Sequence, residues 1–376
     1  MAGIYIHIPF CKKACHYCDF HFSTSLALKD ELLSCLHKEL KMQAGSLSSE
    51  LISTIYFGGG TPSMLSADEL QGIIDTISKE YSLDTELEIS IESNPDDLEL
   101  DYLKSLKEHT AINRLSIGIQ SFHEEDLTKM NRAHNAQQAH DCIEHAQKVG
   151  FDNLTVDLIF GSHTTTDEMW EENLQTVADY KIPHLSIYGL TVEPKTALAH
   201  FIKSGKYPEM DDHQFSRQFI HTQEFLRSQG YDQYEVSNYA LNGCISKHNS
   251  AYWDGVPYLG IGPSSHSFLG EKRYWNIAQN AQYIAALTAG KIPSEMEELS
   301  EKDLFNEYLM TGLRTATGCR VEKLSKFRKE IQDYLWPMVD QLELEKKLTR
   351  SESHIFIPQH ERILTDSITQ LLFYID

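Results

Sequence analysis

Long hydrophobic runs are missing from this chain of 376 residues. None approaches the roughly 20 apolar residues that a bilayer-spanning helix needs. Nor do the first residues read as a signal peptide, because Met1 to Phe10 gives way at once to charged and cysteine-rich sequence. A soluble cytoplasmic protein is expected. Basic residues are also scarce: 33 Lys and Arg stand against 55 Asp and Glu, a formal net charge of −22. That surplus repels phosphate backbones and excludes a general nucleic-acid binder. There is no P-loop lysine motif, no fixed-period repeat and no low-complexity tract. Cysteines number seven, an odd count with three of them crowded together, which fits no secreted disulfide framework.

What is present is enough apolar material, 41% of residues with 10% aromatic, to build a substantial core spread over roughly two to three domains. Over 1–190, short β-branched or apolar runs at 3–8, 53–57, 87–91, 114–119, 154–160 and 184–190 alternate with longer stretches of helical periodicity such as 29–42, 66–80 and 137–148. Six βα units predict an α/β fold, a partial (β/α)6 barrel. Over 191–292 the pattern loosens to one helix at about 211–229 and a stretch rich in Tyr, Asn, Gly and Pro, read as an irregular extension that closes the barrel. Over 293–376, helices at 301–313 and 321–346, a strand at 354–357 and a helix at 361–372 predict a small C-terminal helical domain, winged-helix-like in its β-wing.

The three crowded cysteines, Cys11, Cys15 and Cys18, follow the first predicted strand, so their loop opens on the face where barrels place their chemistry. Structural zinc usually takes four ligands in two separated pairs, and no second pair exists here. A cluster of four irons held by three thiolates leaves one iron open to a ligand. Zinc held by the triplet with His7, His16 or His21 stays as an alternative. Cys35, Cys142, Cys244 and Cys319 are isolated and read as buried residues.

Other polar or glycine-rich clusters fall at the ends of predicted strands. Gly58, Gly59 and Gly60 with Thr61 follow the second, Glu92 to Pro95 end the third, Gln120 to Phe122 the fourth, and Asp157 lies in the fifth. Each alone is an ordinary turn or cap residue. Together, two acids and an amide in one barrel mouth suit ribose hydroxyls and an ammonium group. Arg132 either neutralises a carboxylate there or ends a helix as a solvated charge.

The spacing Cys-x3-Cys-x2-Cys resembles the signature of radical S-adenosylmethionine (SAM) enzymes. The resemblance implies that Cys11, Cys15 and Cys18 hold a 4Fe-4S cluster and that the amino and carboxylate groups of SAM chelate the fourth iron. Electron transfer then cleaves the sulfonium to a 5′-deoxyadenosyl radical. It further implies that Tyr17 lies against the adenine, that the segment from Gly58 to Thr61 bonds the SAM amino group, and that Tyr5, Glu92, Gln120, Arg132 and Asp157 complete the site. Over about residues 4–276 the resemblance narrows to the oxygen-independent coproporphyrinogen III oxidase family. It rests on Tyr5 to Cys11, Glu92 to Pro95, Arg114 to Phe122, Val156 to Gly161 and Tyr234 to Ala240.

Only ten residues precede Cys11, and Phe20 stands where the oxidases carry a further cysteine. Both features resemble the HemW-type branch, understood to bind haem and pass it on, and His248 to Trp253 is similar to its His-Asn-x-x-Tyr-Trp segment. Imidazole is a good axial ligand and the flanking aromatics offer flat faces to a macrocycle; alternatively His248 and Trp253 are packing residues beside the barrel. Asn131 in place of glycine before Arg132, Ser162 and His163 in place of Leu-Pro, and Pro263 in place of Ala depart from the family and bear on loop shape. Two functions follow from the resemblance: a haem chaperone, or an enzyme that oxidatively decarboxylates coproporphyrinogen III to protoporphyrinogen IX. The acidic balance disfavours a tetra-anionic porphyrinogen. The chaperone reading brings haem, a haem-acceptor protein, an electron donor and peripheral contact with membrane respiratory enzymes as partners, no nucleic acid, and no assigned catalytic residue.

Overall fold

The computed structural model describes residues 1–375. All six expected strands form: β1 (Ala2–Ile8), β2 (Ile52–Gly59), β3 (Leu83–Ser93), β4 (Arg114–Gln120), β5 (Leu154–Phe160) and β6 (His184–Gly189). They lie side by side in chain order, each parallel to the next. The connections carry α1 (Lys29–Met42), α2 (Ala67–Glu80), α3 (Leu100–His109), α4 (Glu124–Met130), α5 (Ala136–Val149) and α6 (Asp167–Asp179). Local chemistry sets several of these boundaries. Ser66 and Glu69 cap α2 reciprocally, Asn135 and Gln138 do the same for α5, and Gly150 ends α5 in the left-handed conformation that glycine adopts without strain.

Alternation along the strands sorts side chains into two faces. Ile4, Ile6, Ile55, Phe57, Ile89, Ile91, Leu115, Ile117, Val156 and Leu185 are buried in the core that the helices cover. The opposite, inner face is polar: Tyr5, Thr54, Tyr56, Glu92, Arg114, Ser116, Asp157 and His184 occupy it by the same alternation. Barrel interiors are commonly filled with Val, Ile and Leu. Here the interior is instead a hydrogen-bonded network, with Arg114 donating to Asn153 and Thr155 at 2.6 and 2.8 Å and Tyr56 to Glu92 at 2.9 Å.

The segment 191–292 is more regular than expected and lengthens the sheet at both edges. After α7 (Ala197–Lys203) and α8 (Asp212–Ser228), β7 (Tyr231–Gln233) and β8 (Asn238–Leu241) extend it beyond β6. Past α9 (Lys247–Trp253), β9 (Tyr258–Ile261) pairs parallel with β1, and β10 (His266–Leu269), β11 (Lys272–Asn276) and, after α10 (Asn280–Thr288), β12 (Ser294–Glu298) continue outward. Among the described residues β7 and β12 are the two free edges of one twelve-stranded sheet, so the extension does not join the barrel edge to edge.

The C-terminal part has its own core, with Phe305, Leu309, Leu335, Ile355 and Leu372 buried together. It comprises α11 (Glu301–Gly312), β13 (Cys319–Arg320), α12 (Val321–Leu324), α13 (Lys329–Leu344), β14 (Thr349–Arg350), β15 (His354–Phe356) and α14 (Thr365–Leu372), with the strands in the antiparallel order β13-β15-β14. The single helix expected over 321–346 is broken at 325–328. Phe327 packs edge-on against Phe305 at 5.2 Å, and the Gln332 amide donates to the carbonyls of Ser325 and Phe327 at 3.1 and 2.6 Å, which replaces the missing helical bonds. The last helix likewise begins later than expected, after a 3-10 turn over Gln359–Leu364. Among the described residues no helix is long and apolar enough to cross a membrane.

Candidate functional site

A cavity of about 420 Å³ opens at the C-terminal ends of the parallel strands, within the ~300–1,000 Å³ range of small-molecule sites. Cys11, Cys15, Tyr17 and Cys18 line it from the loop after β1, Gly59, Gly60 and Thr61 from β2, Glu92 and Asn94 from β3, Gln120 and Arg132 from the β4 side, Asp157 from β5 and Tyr188 from β6. Eleven of the fourteen residues expected at a site therefore converge on one concavity, drawn from chain positions up to 146 residues apart (Cys11 to Asp157).

The cysteine loop is held by its neighbours and not by itself. Lys12 pairs with Asp96 at 2.8 Å and with Asp97, tying the loop to the end of β3. The turn after α4 grips the other side: the His16 amide donates to the Met130 carbonyl at 3.0 Å, its ring shares a bond with the Lys129 carbonyl, and Asn131 donates to the Ala14 carbonyl at 2.8 Å. Asn131 stands in the left-handed region at φ 59° as the C-cap of α4. Asn tolerates that conformation better than most residues, so this departure from glycine costs little loop shape.

Arg132 reaches inward from the same turn. One guanidinium nitrogen donates to Cys15 Sγ at 3.2 Å and to the Tyr17 hydroxyl at 3.3 Å, the other to Asn94 Oδ1 at 2.8 Å and the Gly118 carbonyl at 2.6 Å. It is a buried organiser of the cysteine loop, which replaces the solvated helix-end alternative. Burial pushes the Cys11 thiol up and the Cys18 thiol up to about 11, so thiolates there need a compensating cation. All three cysteines are free of disulfides and partly exposed to the cavity. Of the three histidines in the zinc alternative, only His7 has both ring nitrogens engaged by the protein, whereas His16 and His21 use one each. His7 is engaged with the Tyr5 hydroxyl and the His21 carbonyl, His16 with Lys129, and His21 with Asn280. Among the described residues no three His, Cys, Asp or Glu side chains converge on a single-ion position.

On the floor, Glu92 accepts from Tyr56 Oη at 2.9 Å through one oxygen and from the Gly59 amide at 3.1 Å through the other. Gly59 has φ 106°, and a Cβ there would lie 2.5 Å from the His7 ring, so glycine is required. Burial raises the Glu92 carboxyl. Asp157 is pushed up to about 7, first by burial and then by Glu92, and accepts from Ser116 Oγ at 3.4 Å. Gln120 stands at φ 69° where the β4–β5 register shifts, a bulge that turns its side chain into the cavity. Arg132 Nε and Ser93 Oγ are buried on the lining without a protein partner, which leaves polar valence for a bound polar ligand. Phe20 lies at the rim, 69% exposed.

Two expected SAM contacts lie one layer deeper. Tyr5 and Gly58 do not line the cavity: the Tyr5 hydroxyl bonds His7 at 3.1 Å, and a Cβ on Gly58 would strike Tyr5 at 2.9 Å and the Glu92 carboxyl at 3.1 Å. Gly58 thus makes room for Glu92 and does not meet a ligand. His248 also lies outside the lining of the cavity. It is buried under β1 and β2, its Nδ1 shares a 2.7 Å bond with Thr54 and its Nε2 a 3.1 Å bond with Tyr252. Neither nitrogen faces an open space, and freeing both would leave two buried hydroxyls unpaired at about 1–3 kcal/mol each. The sequence reading passed over Tyr56 and Tyr188, which the polar side of the period-2 alternation in β2 and β6 carried as a signal.

Residues 5–177 match the Radical SAM superfamily. The chain is 32% identical to the Heme chaperone HemW of Bacillus subtilis, over 98% of each protein. It is 34% identical to the Heme chaperone HemW of Lactococcus lactis, over 93% of this chain and 92% of that one. Among solved structures it superposes with a TM-score of 0.85 on coproporphyrinogen III oxidase HemN from Escherichia coli, a radical SAM enzyme, across 99% of this chain and 90% of that one. At 23% identity that likeness speaks for the fold alone.

Proposed function

We propose a haem-carrying function from one premise: the chain belongs to the HemW family of heme chaperones, within the radical SAM superfamily. It binds haem and delivers it to an acceptor protein. The observation that carries this reading is the near full-length identity to two HemW chaperones. The residues of the cavity fit the groups that membership implies. Cys11, Cys15 and Cys18 would hold a 4Fe-4S cluster, and Tyr17, Gly59, Gly60, Thr61, Glu92, Gln120, Arg132 and Asp157 would hold SAM. When bound, these groups supply one-electron chemistry.

The chain's own contribution is positional and electrostatic. Arg132 fixes the cysteine loop and brings positive charge to Cys15. Glu92, spanned by Tyr56 and the Gly59 amide, offers a fixed acceptor for an ammonium or hydroxyl donor, and the raised Asp157 beside it spares the floor a second full negative charge near pH 7. Phe20 at the rim, where the oxidases carry a cysteine, favours the carrier over the coproporphyrinogen oxidase. An electron donor for the cluster and a haem acceptor complete the partners. The chain works in the cytoplasm, and contact with membrane respiratory enzymes is peripheral, in keeping with the lack of a spanning helix among the described residues.

Anaerobic reconstitution followed by parallel assays tests this. Stoichiometric haem binding, with transfer to an apo-haem protein and no protoporphyrinogen formed from coproporphyrinogen III with SAM and reductant, is the expected result. Catalytic turnover of coproporphyrinogen III without stable haem binding overturns it.

A further inference from the structure

The buried side of the His-Asn-x-x-Tyr-Trp segment leads back to the cavity floor. His248 stacks on Tyr56, with ring centroids 4.8 Å apart and planes 20° apart, and Tyr56 also lies against Tyr5 at 6.2 Å and 20°. The imidazole cannot turn freely. Thr54, one pleat from Tyr56 on the same face of β2, holds Nδ1, and Tyr252, one helical turn along α9, holds Nε2. The His248 amide donates to Glu88 Oε1 at 3.2 Å, on the strand that carries Glu92. The flat face that these bonds anchor in the core sets the plane of Tyr56 by ring contact, and the Tyr56 hydroxyl fixes one oxygen of Glu92 at 2.9 Å.

We propose that His248 is a positioning residue for SAM, acting through the stacked Tyr56 ring on the Glu92 carboxylate and not as a ligand of haem iron. The proposal rests on the reading that SAM occupies the cavity above Glu92. Its consequence is that the segment serves the SAM site from beneath, while haem binds elsewhere on the chain.

The test uses the anaerobically reconstituted full chain. SAM affinity is measured by calorimetry, and the electron paramagnetic resonance signal of the reduced cluster is recorded with and without SAM. Iron content and the haem Soret band are followed in parallel. Tyr56→Phe and His248→Ala should each weaken SAM binding about tenfold, and the double variant by no more than either alone, because both act through one contact. Iron content and the Soret band should stay at the parent's values. His248→Phe keeps a flat ring against Tyr56 and loses both hydrogen bonds, so its melting temperature should fall while its SAM affinity stays within about threefold of the parent. A merely structural role would make affinity follow stability instead. If His248→Ala does not fold, Tyr56→Phe and His248→Phe carry the comparison. SAM affinities unchanged in Tyr56→Phe and His248→Ala overturn the proposal, as does loss of the Soret band in His248→Ala with SAM affinity intact. A parent protein that holds its cluster but binds no SAM overturns the reading of the cavity, and the proposal with it, and is distinguished by the parent's own titration.

Discussion

Asp157 carries the most demanding prediction, because its carboxyl sits where charge is disfavoured. Burial first, and then the negative charge of Glu92, push it up to about 7, against the hydroxyls of Ser186 and Ser116 that favour the ionised form. An acid whose pKa is higher in the folded than in the unfolded chain gives a folded state that binds more protons over the intervening range. Stability therefore falls as pH rises from about 4 to about 7, and the full penalty holds above pH 7. From an unfolded value of about 3.9 the rise amounts to about 4 kcal/mol at pH 8 and about 1–2 kcal/mol at pH 5. Asp157→Asn removes the ionisation while nearly keeping the shape. Denaturation of the cluster-free protein and the variant, compared at pH 5, 6, 7 and 8, should show the variant gaining about 2–3 kcal/mol on the parent between pH 5 and pH 8. Any pH-independent loss of hydrogen bonding cancels in that comparison. A stability gap that stays constant across the range, or that closes as pH rises, refutes the assignment of a raised carboxyl on the cavity floor.

Replacing Cys11, Cys15 or Cys18 with Ser should abolish the visible absorption of the reconstituted protein, whereas Cys35→Ser and Cys142→Ser should keep it; a zinc-loaded, iron-free parent after reconstitution would count against the cluster. Arg132→Gln strands the Gly118 carbonyl and the Asn94 amide oxygen, so stability should drop by about 2–3 kcal/mol in denaturant titration. Iron incorporation should fall with it as the Cys15 loop loosens, and Arg132→Lys should not restore it because an ammonium cannot span the four partners. Gly59→Ala sets a methyl 2.5 Å from the His7 ring at a φ of 106°, which should lower the melting temperature by the equivalent of about 1–3 kcal/mol and weaken SAM binding. An alanine variant with parental stability and affinity would show that the β2 turn is softer than its geometry implies.

Much of this molecule was legible from residue order alone. The six strands and the helices between them depend on periodicity within a few residues, so β5 and α1 were read to the residue, and the strand-end clusters announced one face. The cysteine spacing is likewise local, and Cys11, Cys15 and Cys18 stand on the cavity because the loop after β1 can only emerge there. Other features have no local trace. Strands of three to five residues in the extension are too short to alternate visibly and exist because β1 and β6 left open edges for them. The break at 325–328 forms because Phe327 finds Phe305, a partner 22 residues away. The role of His248 is the sharpest case. In sequence it stands as an imidazole among aromatics, which suits a haem ligand. Only the packing of α9 against β1 and β2 occupies both its nitrogens and lays it on Tyr56 beneath Glu92, because a side chain's chemistry is set by the groups that folding brings to its two ends.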